Sequence, residues 1–160
     1  MSIKIKCWGD HKPKRGSDGA AGIDLYNNGE TVTIREGEVA TISTKTSMEI
    51  PQGYVGLVIV RSGLGFKGLN LINSVGVIDS DYRGEILVRF ILHPSPGSGM
   101  PMQERIRQFL RTILSRVRYI DAINIPIPPN QLTLEHGERV AQIVIVPYAD
   151  LELNFVDELS

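Results

Sequence analysis

One cysteine, Cys7, is all the thiol chemistry this 160-residue chain contains, which excludes an intramolecular disulfide. Its three histidines, His11, His93 and His136, stand too far apart in sequence to give zinc-ligand spacing. No apolar run approaches the roughly 20 residues needed to cross a bilayer. The N-terminal Met1-Ser-Ile-Lys-Ile-Lys6 alternates apolar and basic residues and lacks the apolar stretch of a signal peptide. A large charge of one sign is missing too: 17 Lys plus Arg against 18 Asp plus Glu leave a formal net charge of -1, which supplies no global pull towards nucleic acid or anionic lipid. The expectation is a soluble cytoplasmic protein with no membrane association, no direct nucleic-acid binding, and Cys7 as a core thiol.

What the chain does contain points to β structure. It carries 16 glycines and 9 prolines, and short Val/Ile/Thr-rich runs alternate with turn residues. Strands are expected over Ile3 to Cys7, Thr31 to Ile34, Glu38 to Ser43, Tyr54 to Val60, Gly84 to Leu92 and Arg139 to Pro147. Turns are expected at Asn27-Asn28-Gly29, Arg35-Glu36-Gly37, Pro51-Gln52-Gly53 and Glu135-His136-Gly137. The class is all-β, a sandwich or barrel, and the length suits one domain. One stretch breaks the pattern. Pro94 to Pro101 reads as a loop, and Met102 to Arg118 places Met102, Ile106, Phe109, Leu110, Ile113, Leu114 and Val117 at helical spacing. The other faces of that helix carry five arginines, a basic amphipathic pattern that suits anionic lipid, nucleic acid or an acidic partner, or else a helix packed on its own domain with solvated arginines. Ile125 to Pro129 is extended and linker-like.

Several residue groups could carry chemistry. Gly63-Leu-Gly-Phe-Lys-Gly68 fits a dinucleotide-binding pattern, but no helical period and no βαβ unit follow it. Arg61-Ser62-Gly63 offers a guanidinium fork, a hydroxyl and an unobstructed backbone N–H, a set suited to phosphate, although such a tripeptide also serves as an ordinary turn. In Gly76-Val-Ile-Asp-Ser-Asp-Tyr-Arg-Gly84, Asp79 and Asp81 alternate and so face opposite ways instead of forming a carboxylate dyad. One of them facing a cleft could deprotonate a water, with Tyr82 as a flat surface for a sugar or base; the alternative is a turn in which the aspartates bond backbone N–H groups. Asp24 within Gly22-Ile-Asp-Leu25, and Gln142 within Val140 to Val146, are lone polar groups in apolar runs. If buried, each needs a partner such as backbone, an anion or a hydrated metal.

In order along the chain, these pieces resemble the trimeric dUTP pyrophosphatase (dUTPase) family. Ala21 to Leu25 is similar to its first motif, Arg61 to Gly63 to its second, Gly76 to Gly84 to its third and Gly137 to Gln142 to its fourth. The resemblance implies a β-clip, distorted jelly-roll subunit, in a homotrimer with active sites at subunit interfaces. It implies hydrolysis of dUTP to dUMP and pyrophosphate, with Asp79 activating the water that attacks the α-phosphorus and Tyr82 lying against the deoxyribose. Asn73 would help hold that water, and backbone groups around Val77, Ile78 and Leu87 would read uracil. Arg61, Ser62, Gly63 and Gln142 would bind the phosphates. Mg2+ would be the cofactor, touched by Asp24 and Gln142 only through its waters and held mainly by the triphosphate.

Two departures from the family pattern shape the expectations. Residues 94–130 form an insertion between the third and fourth motifs, within a single domain spanning 1–160. Some phage members carry an insertion there, and certain of them bind a repressor. The resemblance therefore makes this segment a candidate protein-partner surface, with host cytoplasm as the location if the chain is phage-encoded. The fifth motif, a glycine-rich tail whose aromatic covers uracil and whose arginine grips the γ-phosphate, would begin near or after Ser160, and a form without it is expected to turn over slowly. Two alternatives stand beside hydrolysis. One is a dUTPase-fold regulatory protein acting through the insertion. The other is a dCTP deaminase, which commonly needs a glutamate proton shuttle where this chain reads Asp79-Ser-Asp-Tyr82.

Overall fold

The structure, a computed structural model, describes residues 3–93 and 131–156. Twelve strands and one four-residue helix account for the regular structure among these residues. The largest sheet has five strands: β2 (Lys14–Arg15), β3 (Ile23–Tyr26), β12 (Arg139–Pro147), β7 (Tyr54–Val60) and β9 (Gly76–Ile78), hydrogen-bonded in the order β2-β3-β12-β7-β9. A second sheet is built from β5 (Val39–Ser43), β10 (Leu87–Leu92) and β8 (Leu69–Leu71), in the order β5-β10-β8. Two antiparallel pairs complete it, β1 (Lys4–Cys7) with β6 (Thr46–Glu49) and β4 (Val32–Arg35) with β11 (Gln131–Leu134). The helix α1 covers Ser62–Gly65.

The long strands are those whose side chains suit a pleated, buried surface. β12 reads Arg-Val-Ala-Gln-Ile-Val-Ile-Val-Pro and sits between β3 and β7, where β-branched side chains pack best. In β10, Val88, Phe90 and Leu92 turn inward while Leu87 and Arg89 are exposed, the period-two signature of a half-buried strand. The core collects Leu25, Ile42, Leu69, Phe90, Leu134 and Ile143, all essentially inaccessible to solvent. Each such burial contributes about 1.5 to 3 kcal/mol relative to exposure.

The expected strands over 54–60 and 139–147 match the observed bounds, and four others lie within a few residues of theirs. The strand expected from Gly84 begins only at Leu87, because Ser43 and the backbone N–H of Lys45 both donate to the Glu85 carboxylate and hold it out of the ladder. The turn Asn27-Asn28-Gly29 does more than reverse the chain. Both asparagines are buried, Asn27 Nδ2 donating to the carbonyls of Glu30 (2.9 Å) and Leu134 (3.1 Å), and Asn28 Nδ2 to those of His11 and Thr44 (both 2.8 Å). They join segments distant in sequence, and among the described residues no buried side-chain N or O lacks a partner. Cys7, expected in the core, is half-buried at the end of β1, an edge position that leaves its Sγ beside the carbonyls of Gly9 and His11. The expected helix at about 102–118 and its flanking insertion lie outside the described residues.

Candidate active site

The first cluster gathers where β3, β12 and the end of β7 meet. Asp24 on β3 stands directly opposite Gln142 on β12 and Lys14 on β2. Its carboxylate has only 9% of its side-chain surface exposed and is held by two guanidinium groups: Arg61 Nε lies 3.0 Å from Oδ1 and Arg139 Nη1 3.3 Å from Oδ2. A near-buried carboxylate therefore has its charge compensated on both oxygens. The partner expected for a buried acid is here a pair of arginines. Gln142 is half-buried, and its Oε1 approaches Gly22 so closely that a β-carbon there would lie 2.6 Å away, which is why glycine suits that position. Ser62 and Gly63 are exposed in the first turn of α1, where backbone N–H groups have no partner within the helix. The tripeptide Arg61-Ser62-Gly63 is thus a strand end running into a helical turn.

The second cluster lies at the other side of β7. Between β9, β10 and β8 a cavity of about 310 Å³ is lined by Asn73, Val77, Ile78, Leu87 and Arg89, among others. Three residues expected to read uracil and Asn73, expected to hold the water, are brought together here, and Arg89 joins them without having been singled out. Val77 and Leu87 are exposed in this subunit, at 60% and 56%. Such apolar exposure at a cleft mouth suits a flat ring.

Immediately beyond Ile78, the chain turns. Tyr82 N donates to the Asp79 carbonyl at 3.2 Å, and the Tyr82 hydroxyl donates to the Glu85 carbonyl at 2.9 Å, which fixes the ring. Asp79 is exposed at the start of this turn and does not line that cavity. Asp81 lines a larger cavity of about 660 Å³ with Lys4, Gln52, Arg83 and Tyr148. That space contains none of the residues expected to bind nucleotide.

The register separates the two clusters. β9 is antiparallel to β7, with Gly76 opposite Val58 and Ile78 opposite Gly56. Arg61 follows the C-terminal end of β7, whereas Asp79 continues from β9 past the N-terminal half. Six residues of strand span roughly 20 Å. Asp79 and Arg61 of one chain therefore stand towards opposite ends of β7. Sequence reading missed Arg139, although it lies inside the quoted fourth motif, because the strand's irregularity at Val140 is invisible in an apolar run.

An all-β chain with an arginine-bound acid at one end of a strand and a base-sized cleft at the other has the make-up of a nucleotide-acting protein. The comparisons specify which kind. The dUTPase family model matches residues 10–117. A deoxyuridine 5'-triphosphate nucleotidohydrolase of Hydrogenobaculum sp. is 34% identical over 149 residues, 92% of this chain and 80% of that protein. One from Mycobacterium bovis is 40% identical over 115 residues, 71% of this chain and 72% of that protein. Among solved structures, a mutant dUTPase from phage phi11 of S. aureus, described with a structural Mg(II) ion, superposes with a TM-score of 0.70 at 26% identity, covering 99% of this chain and 98% of that one. The dUTPase of Staphylococcus bacteriophage 80alpha, as a mutant with dUpNHpp, gives 0.71 at 25% identity, covering 99% and 97%. The chain belongs to the dUTPase family, and its structural likenesses include phage members of that family.

Proposed function

We propose that this protein hydrolyses dUTP to dUMP and pyrophosphate in a site shared between copies of the chain. The observation that carries the reading is the nucleobase-sized cavity bordered by Asn73, Val77, Ile78 and Leu87, whose wall residue Ile78 is followed in the chain by Asp79. The Asp79 carboxylate accepts a proton from water held with Asn73. The water oxygen bonds the α-phosphorus, and the bond from that phosphorus to the bridging oxygen breaks to release pyrophosphate. Tyr82, fixed through its hydroxyl, packs against the deoxyribose. Backbone N–H and C=O groups around Val77, Ile78 and Leu87 select uracil over cytosine, whose donor and acceptor order is reversed. Arg61, Ser62, Gly63 and Gln142 of a neighbouring copy hold the phosphates. The roughly 20 Å between Asp79 and Arg61 within one chain supports a neighbour's contribution, and the family resemblance supports a homotrimer.

Magnesium fits as an ion carried in by the triphosphate. Both Asp24 oxygens already face guanidinium groups, so Asp24 and Gln142 would reach it only through water. Bound there, it would supply positive charge to the phosphates.

Residues 1–160 act in this reading as a single dUTPase-like domain interrupted by the 94–130 insertion. A second role is favoured by the likeness to the 80alpha dUTPase, described among phage dUTPases that control transfer of virulence genes. The arginine-rich insertion is its candidate surface for a protein partner such as a repressor, in a host cytoplasm. Incubation with dUTP, dCTP, dTTP and UTP, following pyrophosphate release, tests the main reading. Only dUTP should be consumed efficiently, and Asp79→Asn should lower its turnover by at least roughly 10²-fold. Turnover unchanged by that substitution excludes Asp79 as the base.

A further inference from the structure

The proposed chemistry leaves Arg139 without a task, yet the fold takes trouble to place it. We propose that Arg139 is a positioning residue for the nucleotide's distal phosphates: by engaging Asp24 Oδ2 it keeps Oδ1 on Nε of Arg61 and leaves the outer edge of the Arg61 fork for the anion. The inference rests on the dUTP-hydrolysis reading.

The first support is geometric. Arg61 meets Asp24 through Nε, at the root of its guanidinium, at 3.0 Å, while Arg139 approaches the other oxygen at 3.3 Å. With Oδ2 free, a carboxylate would rotate to grip Arg61 with both oxygens, the bidentate mode guanidinium favours, and draw the fork away from a phosphate.

The second support comes from the strand itself. Arg139 and Gln142 are three residues apart, so on a regular strand they would face opposite sides of the sheet. The ladder with β3 instead shifts between Arg139, opposite Tyr26, and Ala141, opposite Leu25, which inserts Val140 as an extra residue. Both Val140 and Ala141 are buried, and Arg139 is turned onto the face shared by Asp24 and Gln142. Bulges of this kind re-aim side chains next to active sites.

Charge gives the third. Compensating one buried carboxylate takes one arginine, and two leave a surplus positive charge, with Lys14 directly across from Asp24 on β2. The arrangement is graded outward, side-chain exposure rising from 9% at Asp24 to 30% at Arg61 and 47% at Arg139. A merely structural pair has no need of that excess, whereas an anion site does.

The test compares full-length wild type with Arg139→Gln and Arg139→Lys. Calorimetry measures affinity for a non-hydrolysable α,β-imido analogue of dUTP and for dUMP, which lacks the distal phosphates, alongside steady-state dUTP hydrolysis. Arg139→Gln should weaken the analogue roughly tenfold and dUMP by less than about twofold. Arg139→Lys, which keeps the charge but not the fork, should fall between Gln and wild type, and decides the matter alone if Arg139→Gln does not fold. Equal losses for the two nucleotides, or no loss, overturn the inference. A wild-type protein that fails to hydrolyse dUTP overturns the functional reading instead.

Discussion

The ring of Tyr82 lies so close over Gly84 that a β-carbon at Gly84 would sit 2.5 Å from the Tyr82 hydroxyl oxygen. The same hydroxyl is anchored 2.9 Å from the Glu85 carbonyl. Glycine at 84 is therefore what lets the ring fold back on its own turn. Gly84→Ala should push Tyr82 off its anchor and relax sugar selection. The ratio of kcat/KM for dUTP over UTP is expected to drop roughly tenfold or more, the loss of one sterically enforced distinction. An unaltered ratio would show that the ring has no part in excluding a 2′-hydroxyl.

A site split between chains predicts complementation. Asp79→Asn and Arg61→Ala proteins should each be inactive alone. After unfolding and refolding as an equal mixture, a site works when one chain supplies an intact Asp79 and its neighbour an intact Arg61, each with a chance of one half. About one quarter of wild-type activity should return. If the mixture stays inactive while remaining trimeric in sedimentation, the two residues serve the same chain.

Removing the acid between the two arginines should weaken the fold. Asp24→Asn leaves Arg61 and Arg139 facing each other without a counter-charge. Because both guanidiniums retain solvent, at 30% and 47% exposure, the expected loss is about 1 to 2 kcal/mol, less than for a fully buried pair. Urea unfolding would measure it. Added salt should recover part of the loss, since chloride screens the repulsion.

A different cost is expected at Phe90, the largest of the fully buried side chains among the described residues, in β10 with β5 on one side and β8 on the other. Phe90→Ala should destabilise by about 3 to 5 kcal/mol through lost burial and the cavity left behind. The cleft wall at Leu87 belongs to the same strand, so uridine-nucleotide binding should weaken with it. A melting temperature near wild type would contradict the packing described.

What the sequence reveals and what it hides follow from strand length. The runs 54–60 and 139–147 are long enough, and rich enough in β-branched residues, to be read without help. β2, β6, β8 and β11 span only two to four residues, too short for a period to register, and their pairing is imposed by neighbours. Alternation could not place Asp79 and Asp81, because both lie in the turn after β9 and outside any strand; Asp81 lines the large cavity and Asp79 does not. The residues bordering the base-sized cleft were legible only through the family resemblance, because nothing in Asn73 or Leu87 by itself indicates a cleft. Arg139's contact with Asp24 and the bond from Asn27 to Leu134 were not legible, since each joins segments more than 100 residues apart in sequence, and the Asn28 amide joins two separate segments at His11 and Thr44.

The bulge at Val140 also bears on how this chain tolerates change. Most strand positions respond to substitution according to the side chain lost, but this one responds to length. Deleting Val140 would leave Arg139 two residues before Gln142, where plain alternation keeps both on the Asp24 face, whereas straightening the bulge with Val140 retained would turn Arg139 to the opposite face. A survey of natural variation at this strand should therefore look for insertions and deletions as well as replacements. A relative that has lost the extra residue would hold the arginine on the Asp24 face through a regular ladder, with no bulge to maintain.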